Sequence, residues 1–204
     1  MVKKLLTRPK CFIPYRSLPN THMPSDMTKP DTDISTKTLS VINPFDLSGV
    51  DTIAENSAAE IDDALASAFG LFRDRPGWLP DHARISVLEK TIMLMEQRTE
   101  QLIDMAIREG GNPRRDTRAE ILRAIDSVKA TIAAMRTDGG KVIPMGLTPT
   151  TGNRMAFTQR EPIGVVVAVS AFNHPLNLIV HQVAPAIAAG CPVIVKPAAD
   201  SPLS

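Results

Sequence analysis

Ile163-Gly164-Val165-Val166-Val167-Ala168-Val169 is followed by a helix-length apolar stretch over 176–189, and then by Gly190-Cys191-Pro192-Val193-Ile194-Val195-Lys196. The first run is continuous and rich in β-branched residues. That is the pattern of a parallel strand buried on both faces, where alternation has no polar side to serve. Gly190 sits where helices most often end, in the left-handed position that glycine adopts without strain. Residues 192–196 then read as a second buried strand. Strand, crossover helix and strand make a βαβ unit, so the fold class is α/β with a parallel sheet.

Upstream, the periodicity turns helical. Ser57-Ala58-Ala59-Glu60 has capping-box spacing. Behind it Ile61, Leu65, Ala68, Phe69 and Phe72 recur on one face until Pro76-Gly77. Ile85, Leu88, Ile92, Met95, Leu102 and Ala106 continue three/four spacing and predict one long helix, stopped by Gly110-Gly111. A further helix is expected from Pro113 to Gly139-Gly140, with Ile121, Ile125, Val128, Ile132 and Met135 inward. Arg114, Arg115 and Arg118 read as its solvated start. Before these helices, Val41-Ile42-Asn43-Pro44 reads as a short strand entering a turn. After them, the punctuated segment 142–161 predicts a β-hairpin arm turning near Thr151–Asn153.

The chain is therefore divided into a basic, Pro-rich tail over 1–38, expected to be disordered, and a helical part over 39–140. A hairpin arm over 141–161 and the start of the parallel sheet over 162–204 follow. The tail carries Lys3, Lys4, Arg8, Lys10 and Arg16 before its first acidic residue, Asp26. It reads as a plain extension or as the product of an upstream start site; organelle targeting stays open.

Composition excludes several function classes. With 43% hydrophobic and 22% charged residues the chain is that of a folded globular protein. A formal net charge of +1 supplies no field for recruiting nucleic acid. No apolar run approaches the roughly 20 residues that span a bilayer. The expected location is cytoplasmic. Cys11 and Cys191 match no metal or disulfide spacing, and Cys191 reads as a small buried hydrophobe.

Ligands of open parallel sheets bind beyond the carboxyl ends of the strands. Asn173 follows the first strand and Lys196 closes the second. The amide suits a developing oxyanion, and the ammonium suits a ribose hydroxyl or phosphate. The residues alone equally admit a turn-forming Asn and a snorkelling edge Lys.

Arg160-Glu161-Pro162-Ile163-Gly164-Val165-Val166, Phe172-Asn173-His174-Pro175-Leu176, Ala184-Pro185-Ala186-Ile187-Ala188-Ala189-Gly190 and Val195-Lys196-Pro197-Ala198, in that order, resemble the aldehyde dehydrogenase superfamily. Weaker similarity runs back through 109–113 and 64–69 to Asn43-Pro44. The resemblance is to the N-terminal portion of the family fold: helices, the first βαβ unit of a Rossmann-type sheet, and a projecting hairpin arm.

The resemblance implies that Asn173 is the oxyanion-hole amide and that Lys196 bonds the adenosine ribose. Val169, Ala171 and Phe172 then line the cofactor cleft, with Ala171-Phe172 standing where the family has Pro-Trp. Family members pass a hydride to a nicotinamide from a thiohemiacetal on a cysteine, and a glutamate activates the water that releases the acid. The implied cofactor is NAD or NADP: Ala199 stands where many NAD-using members carry a ribose-binding glutamate, although Asp200 follows it.

His174, Asn177, Leu178 and His181 fall at positions lining the aldehyde tunnel, which implies a small polar or anionic substrate. The arm resembles the family's oligomerisation hairpin, which implies a homo-oligomer. The family's nucleophile and general base lie beyond the position matched by Ser204. Asp200-Ser201-Pro202 also opens a helix that has no continuation. The sequence thus predicts a truncated chain, poorly soluble and inactive alone. The competing expectation is a non-catalytic piece that associates with intact subunits through the arm.

Overall fold

The computed structural model describes residues 37–204, so the tail expected over 1–38 lies outside the described residues except for Lys37 and Thr38, and Thr38 already belongs to a strand. The first element is a hairpin, β1 (Thr38–Ile42) antiparallel to β2 (Gly49–Ala54), with a bulge between Val41 and Ile42. The sequence reading found only the first strand. β2 escaped it because Gly49-Val50-Asp51-Thr52-Ile53-Ala54 is largely exposed and lacks a strong alternation.

Helix α1 (Ala58–Arg73) begins at the expected capping box. Ser57 accepts the Glu60 N–H at 3.3 Å, and Glu60 accepts the Ser57 N–H at 2.8 Å. The Ser57 backbone N–H holds the Glu60 carboxyl below its ordinary range. The apolar face has the expected register, but Ala68 is its only buried residue, and Ile61, Leu65 and Phe69 are exposed. A single 3₁₀ turn over Arg75–Gly77 ends this stretch, and the Trp78 indole donates to the Phe72 carbonyl.

The predicted long helix is two helices, α2 (Asp81–Gln97) and α3 (Thr99–Gly110). The break falls at Arg98, whose ψ of 15° is not helical. The Thr99 hydroxyl donates to the Met95 and Glu96 carbonyls, taking over bonds that the continuing backbone would have made. Apolar spacing runs through the break without a fault, so periodicity could not reveal it. At the other end Gly111 adopts φ 68°, and a Cβ there would lie 2.7 Å from Pro44.

Helix α4 (Arg114–Thr137) is the centre of the molecule. Ile121, Ala124, Ile125, Val128 and Ile132 are buried together with Leu88 and Met95 of α2, Ile103 of α3 and Ala184 of α5 (Pro175–Ala188). At its start, Arg114 pairs with Glu100 and Asp104, and Arg118 pairs with Glu100. These arginines are thus bound to α3 rather than merely solvated. Such exposed pairs contribute little each, but they orient the α3–α4 corner.

The arm is shorter than expected: β3 (Val142–Ile143) pairs antiparallel with β4 (Ala156–Phe157), and the turn spans 149–153. Strands β5 (Val166–Val169) and β6 (Val193–Lys196) pair in parallel around α5, as the βαβ reading requires. Burial on both faces is not found. Ala168 is fully buried, whereas Val167 and Val169 are each 56% exposed. α5 packs against both strands and α1 reaches β6, yet Val167 and Val169 stay open. Gly190 follows α5 with φ 79°.

Ile103 is wholly buried in the α2–α3–α4 core. Ile103→Ala is expected to destabilise the chain by about 2–5 kcal/mol. The measurement is the urea midpoint at unchanged m; a shift equivalent to less than about 0.5 kcal/mol, the usual range for surface substitutions, would contradict the packing described.

Candidate functional site

The parallel strands end side by side, with the Ser170 N–H donating to the Lys196 carbonyl at 3.0 Å. The Lys196 side chain is exposed, and its Nζ donates only to the neighbouring Pro197 carbonyl, 3.1 Å away. Val169 turns its own backbone groups the other way, toward the open edge of β5. There the Gln182 side chain of α5 meets both of them. Its Oε1 accepts the Val169 N–H at 3.0 Å, and its Nε2 donates to the Val169 carbonyl at 2.9 Å. Gln182 therefore acts as a one-residue strand on an otherwise unpaired edge. Ala171 and Phe172 follow, and the Phe172 ring is 64% exposed.

Asn173 and His174 lead into α5, where Pro175 occupies the first turn. They open onto a cavity of about 460 Å³ between the starts of α4 and α5, lined by Asn173, His174, Asn177, Glu120 and Arg123 among others. Of the four expected tunnel residues, His174 and Asn177 line it. Leu178 and His181 do not, and His181 Nε2 lies 2.9 Å from the Ser127 hydroxyl on α4.

The α4 wall of this cavity was absent from the sequence reading. Glu120 is its main feature, with a side chain only 1% exposed. Its Oε1 accepts the Asn177 N–H at 3.2 Å, and its Oε2 lies 3.5 Å from His174 Nδ1. Asn112, beyond the Gly111 turn, donates its amide to the Asn173 carbonyl at 3.0 Å. The Arg123 guanidinium lines the cavity, and no ion pair to it is formed among the described residues. Asn177 Oδ1 is buried without a hydrogen-bond partner. One signal was available: Glu120 stands on the same helical face as Thr117, Ile121 and Ala124, all buried, and a charge in an apolar stripe marks a paired group.

A second buried carboxylate sits nearby. Glu109 is 2% exposed, and its two oxygens accept the Leu203 and Ser204 N–H groups at 2.7 Å each. The helix opening expected at 200–202 is not found: no helix forms over residues 197–204. Asp200 is exposed, and the Ser201 hydroxyl donates to the Phe172 carbonyl at 3.4 Å rather than to its own segment. Ala199 is exposed beside Asp200. Cys191 is buried at the entry to β6, the only free cysteine among the described residues and no open nucleophile. Those residues form no cluster suited to a metal ion, and no helix among them is long and apolar enough to cross a membrane.

A family model described as the aldehyde dehydrogenase family matches residues 32–204. Aspartate-semialdehyde dehydrogenase 1 of Pseudomonas canavaninivorans is 32% identical over 166 residues, 81% of this chain and 35% of that protein. The lactaldehyde dehydrogenase of Methanocaldococcus jannaschii is 31% identical, covering 83% of this chain and 35% of the relative. Among solved structures, aldehyde dehydrogenase 21 from Physcomitrella patens, in complex with the product succinate, superposes with a TM-score of 0.78 at 32% identity. It covers 84% of this chain and 36% of its own. Glyceraldehyde-3-phosphate dehydrogenase from Methanocaldococcus jannaschii, complexed with NADP, gives 0.74 at 31% identity, covering 81% and 35%. The chain spans about a third of the length of these relatives.

Replacing Gln182 by Leu removes both partners of Val169 at the strand edge. Hydrogen exchange of the Val169 amide is then expected to accelerate about tenfold or more. The Val166 amide, which donates to Pro192 inside the sheet, is the internal reference. Equal changes at the two amides would show that Gln182 does not guard the edge.

Proposed function

The chain belongs to the aldehyde dehydrogenase family, and from that premise we propose that it supplies the oxyanion donor and one wall of the cofactor cleft of an NAD(P)-dependent aldehyde dehydrogenase. The observation that carries this reading is Asn173, which lines the cavity beside the carboxyl ends of β5 and β6. A carbonyl oxygen gains negative charge when a nucleophile adds to its carbon. A neutral amide donor aimed at that oxygen stabilises the adduct more than the ground state.

The donor set fits a dinucleotide. Lys196 presents a cation with a single weak intrachain contact at a strand end. Ala171 and Phe172 offer exposed surface beside it, and Val169 contributes its side chain, since Gln182 occupies its backbone. Ala199 places no carboxylate where a 2′-phosphate would sit, so both NAD and NADP are accommodated. When bound, the nicotinamide cofactor accepts the hydride. The residues of this chain bind, orient and stabilise charge.

The proposed substrate is a small polar or anionic aldehyde. His174 and Asn177 line the cavity, with Arg123 as an unengaged cation and Asn177 Oδ1 as an acceptor in want of a donor. Leu178 and His181 stand further along α5. The arm supports the homo-oligomeric reading: Val142, Met155 and Phe157 are exposed on it, an apolar surface suited to another subunit. The same surface supports the alternative, a non-catalytic piece docking on intact subunits.

Two measurements test the reading. The purified 204-residue chain is expected to form no NAD(P)H from any aldehyde, because Cys191 is buried and Cys11 lies ahead of the stretch, 32–204, that matches the family; robust turnover would overturn that. In a polypeptide that also carries the family's cysteine and glutamate, Asn173→Ala is expected to lower kcat about 10²- to 10³-fold. Short polar aldehydes should outrank long-chain ones in kcat/KM. A clear long-chain preference would contradict the substrate assignment.

A further inference from the structure

An asparagine beside a helix start ordinarily spends its side chain on the unpaired N–H groups of the first turn. Asn173 stands one residue before the cap position of α5, and its side chain makes no hydrogen bond to the first turn. His174, the residue at the cap position, forms no side-chain cap either. The N–H that such a cap would satisfy, that of Asn177, is taken by Glu120 from a different helix. We infer that Glu120 is a positioning residue that caps α5 in place of its own chain, so that Asn173 Oδ1 is not drawn to a first-turn N–H and the side chain is free to turn its NH₂ toward the substrate oxygen. The inference rests on the oxyanion role proposed for Asn173.

Five contacts fix the segment around that amide. Glu120 holds Asn177 and His174 from the α4 side. Asn112 holds the Asn173 carbonyl, and Ser201 holds the Phe172 carbonyl. The Ser170 hydroxyl donates to the Pro175 carbonyl at 3.3 Å, closing the loop on itself. The Asn173 backbone is thus pinned on both sides while its side chain is unpinned.

The same device recurs one loop away, where Glu109 accepts the Leu203 and Ser204 N–H groups behind Pro202. The segments after both sheet strands are thus held by buried carboxylates, Glu120 of α4 and Glu109 of α3.

The test uses the ¹⁵N-labelled 204-residue chain and its Glu120→Ala, Glu120→Gln and Asn112→Ala variants. Glutamine keeps an acceptor for the Asn177 N–H, whereas alanine does not. In E120A the Asn177 amide is expected to exchange about ten- to a hundredfold faster than in the parent, relative to the buried Ile103 amide. The Asn173 side-chain NH₂ resonances should shift as Oδ1 turns to accept a first-turn N–H. E120Q should restore both signals to within about threefold of the parent exchange rate.

If E120A does not fold, N112A decides. It touches only the Asn173 carbonyl, and it should broaden or move the Asn173 NH₂ pair while leaving Asn177 exchange unchanged. Unmoved Asn173 NH₂ resonances in N112A, and in E120A where it folds, would overturn the inference. So would parallel acceleration of Asn177 and Ile103 exchange in E120A. Neither readout involves turnover, so a failed dehydrogenase assay and a failed positioning role are separate results.

Discussion

A carboxylate removed from water must find partners that replace its hydration, and in this chain the partners of Glu120 are the first turn of α5. Much of the site follows from that pairing. The N–H groups of a helix start and a buried carboxylate each lack something the other supplies. Their union ties α4 to α5 at the point where the Asn173 loop leaves the sheet. Removing the carboxylate would leave an unpaired donor beside the cavity, and removing the helix start would leave an unpaired charge. Each therefore requires the other, which is why an acidic residue can stand in the stripe that otherwise builds the core of α4.

That arrangement divides labour among helices. α2, α3 and α4 make the apolar centre with Leu88, Ile103, Ile121 and Val128. Their corner, near Gly111 and Asn112, faces the loops rather than the core. The β5–α5–β6 unit docks against α4 along α5, so the strand ends and the corner converge. The surface around Asn173 is thus composite: strands place Asn173 and Lys196, and helices more than fifty residues upstream of Asn173 hold its loop in place.

Hydrophobic surface tells a different story at the margins. Val167 and Val169 on the sheet, Ile61 and Phe69 on α1, and Phe157 on the arm are all exposed. Periodicity identifies which residues share a face. It says nothing about whether another element lies against that face, since covering is a property of neighbours and not of the stripe itself. The α1 register was legible from the capping box onward, and its lack of cover was not. The break at Arg98–Thr99 is a similar case, because a hydroxyl competing for two carbonyls leaves the apolar spacing undisturbed.

The sequence by itself determined the βαβ unit, the capping box, the helix stops at Gly111 and Gly190, and the position of Asn173 and Lys196 after their strands. All of these depend on contacts within a few residues or on a local period, and a linear string records both. Only the tertiary structure decided that Glu120 and Asn112 meet the Asn173 loop, that Glu109 caps residues 203 and 204, and that Leu178 and His181 stand away from the cavity. Those facts depend on which helix faces which. Such pairing joins residues 54 to 95 positions apart, and it is fixed by packing around α4 rather than by any local signal.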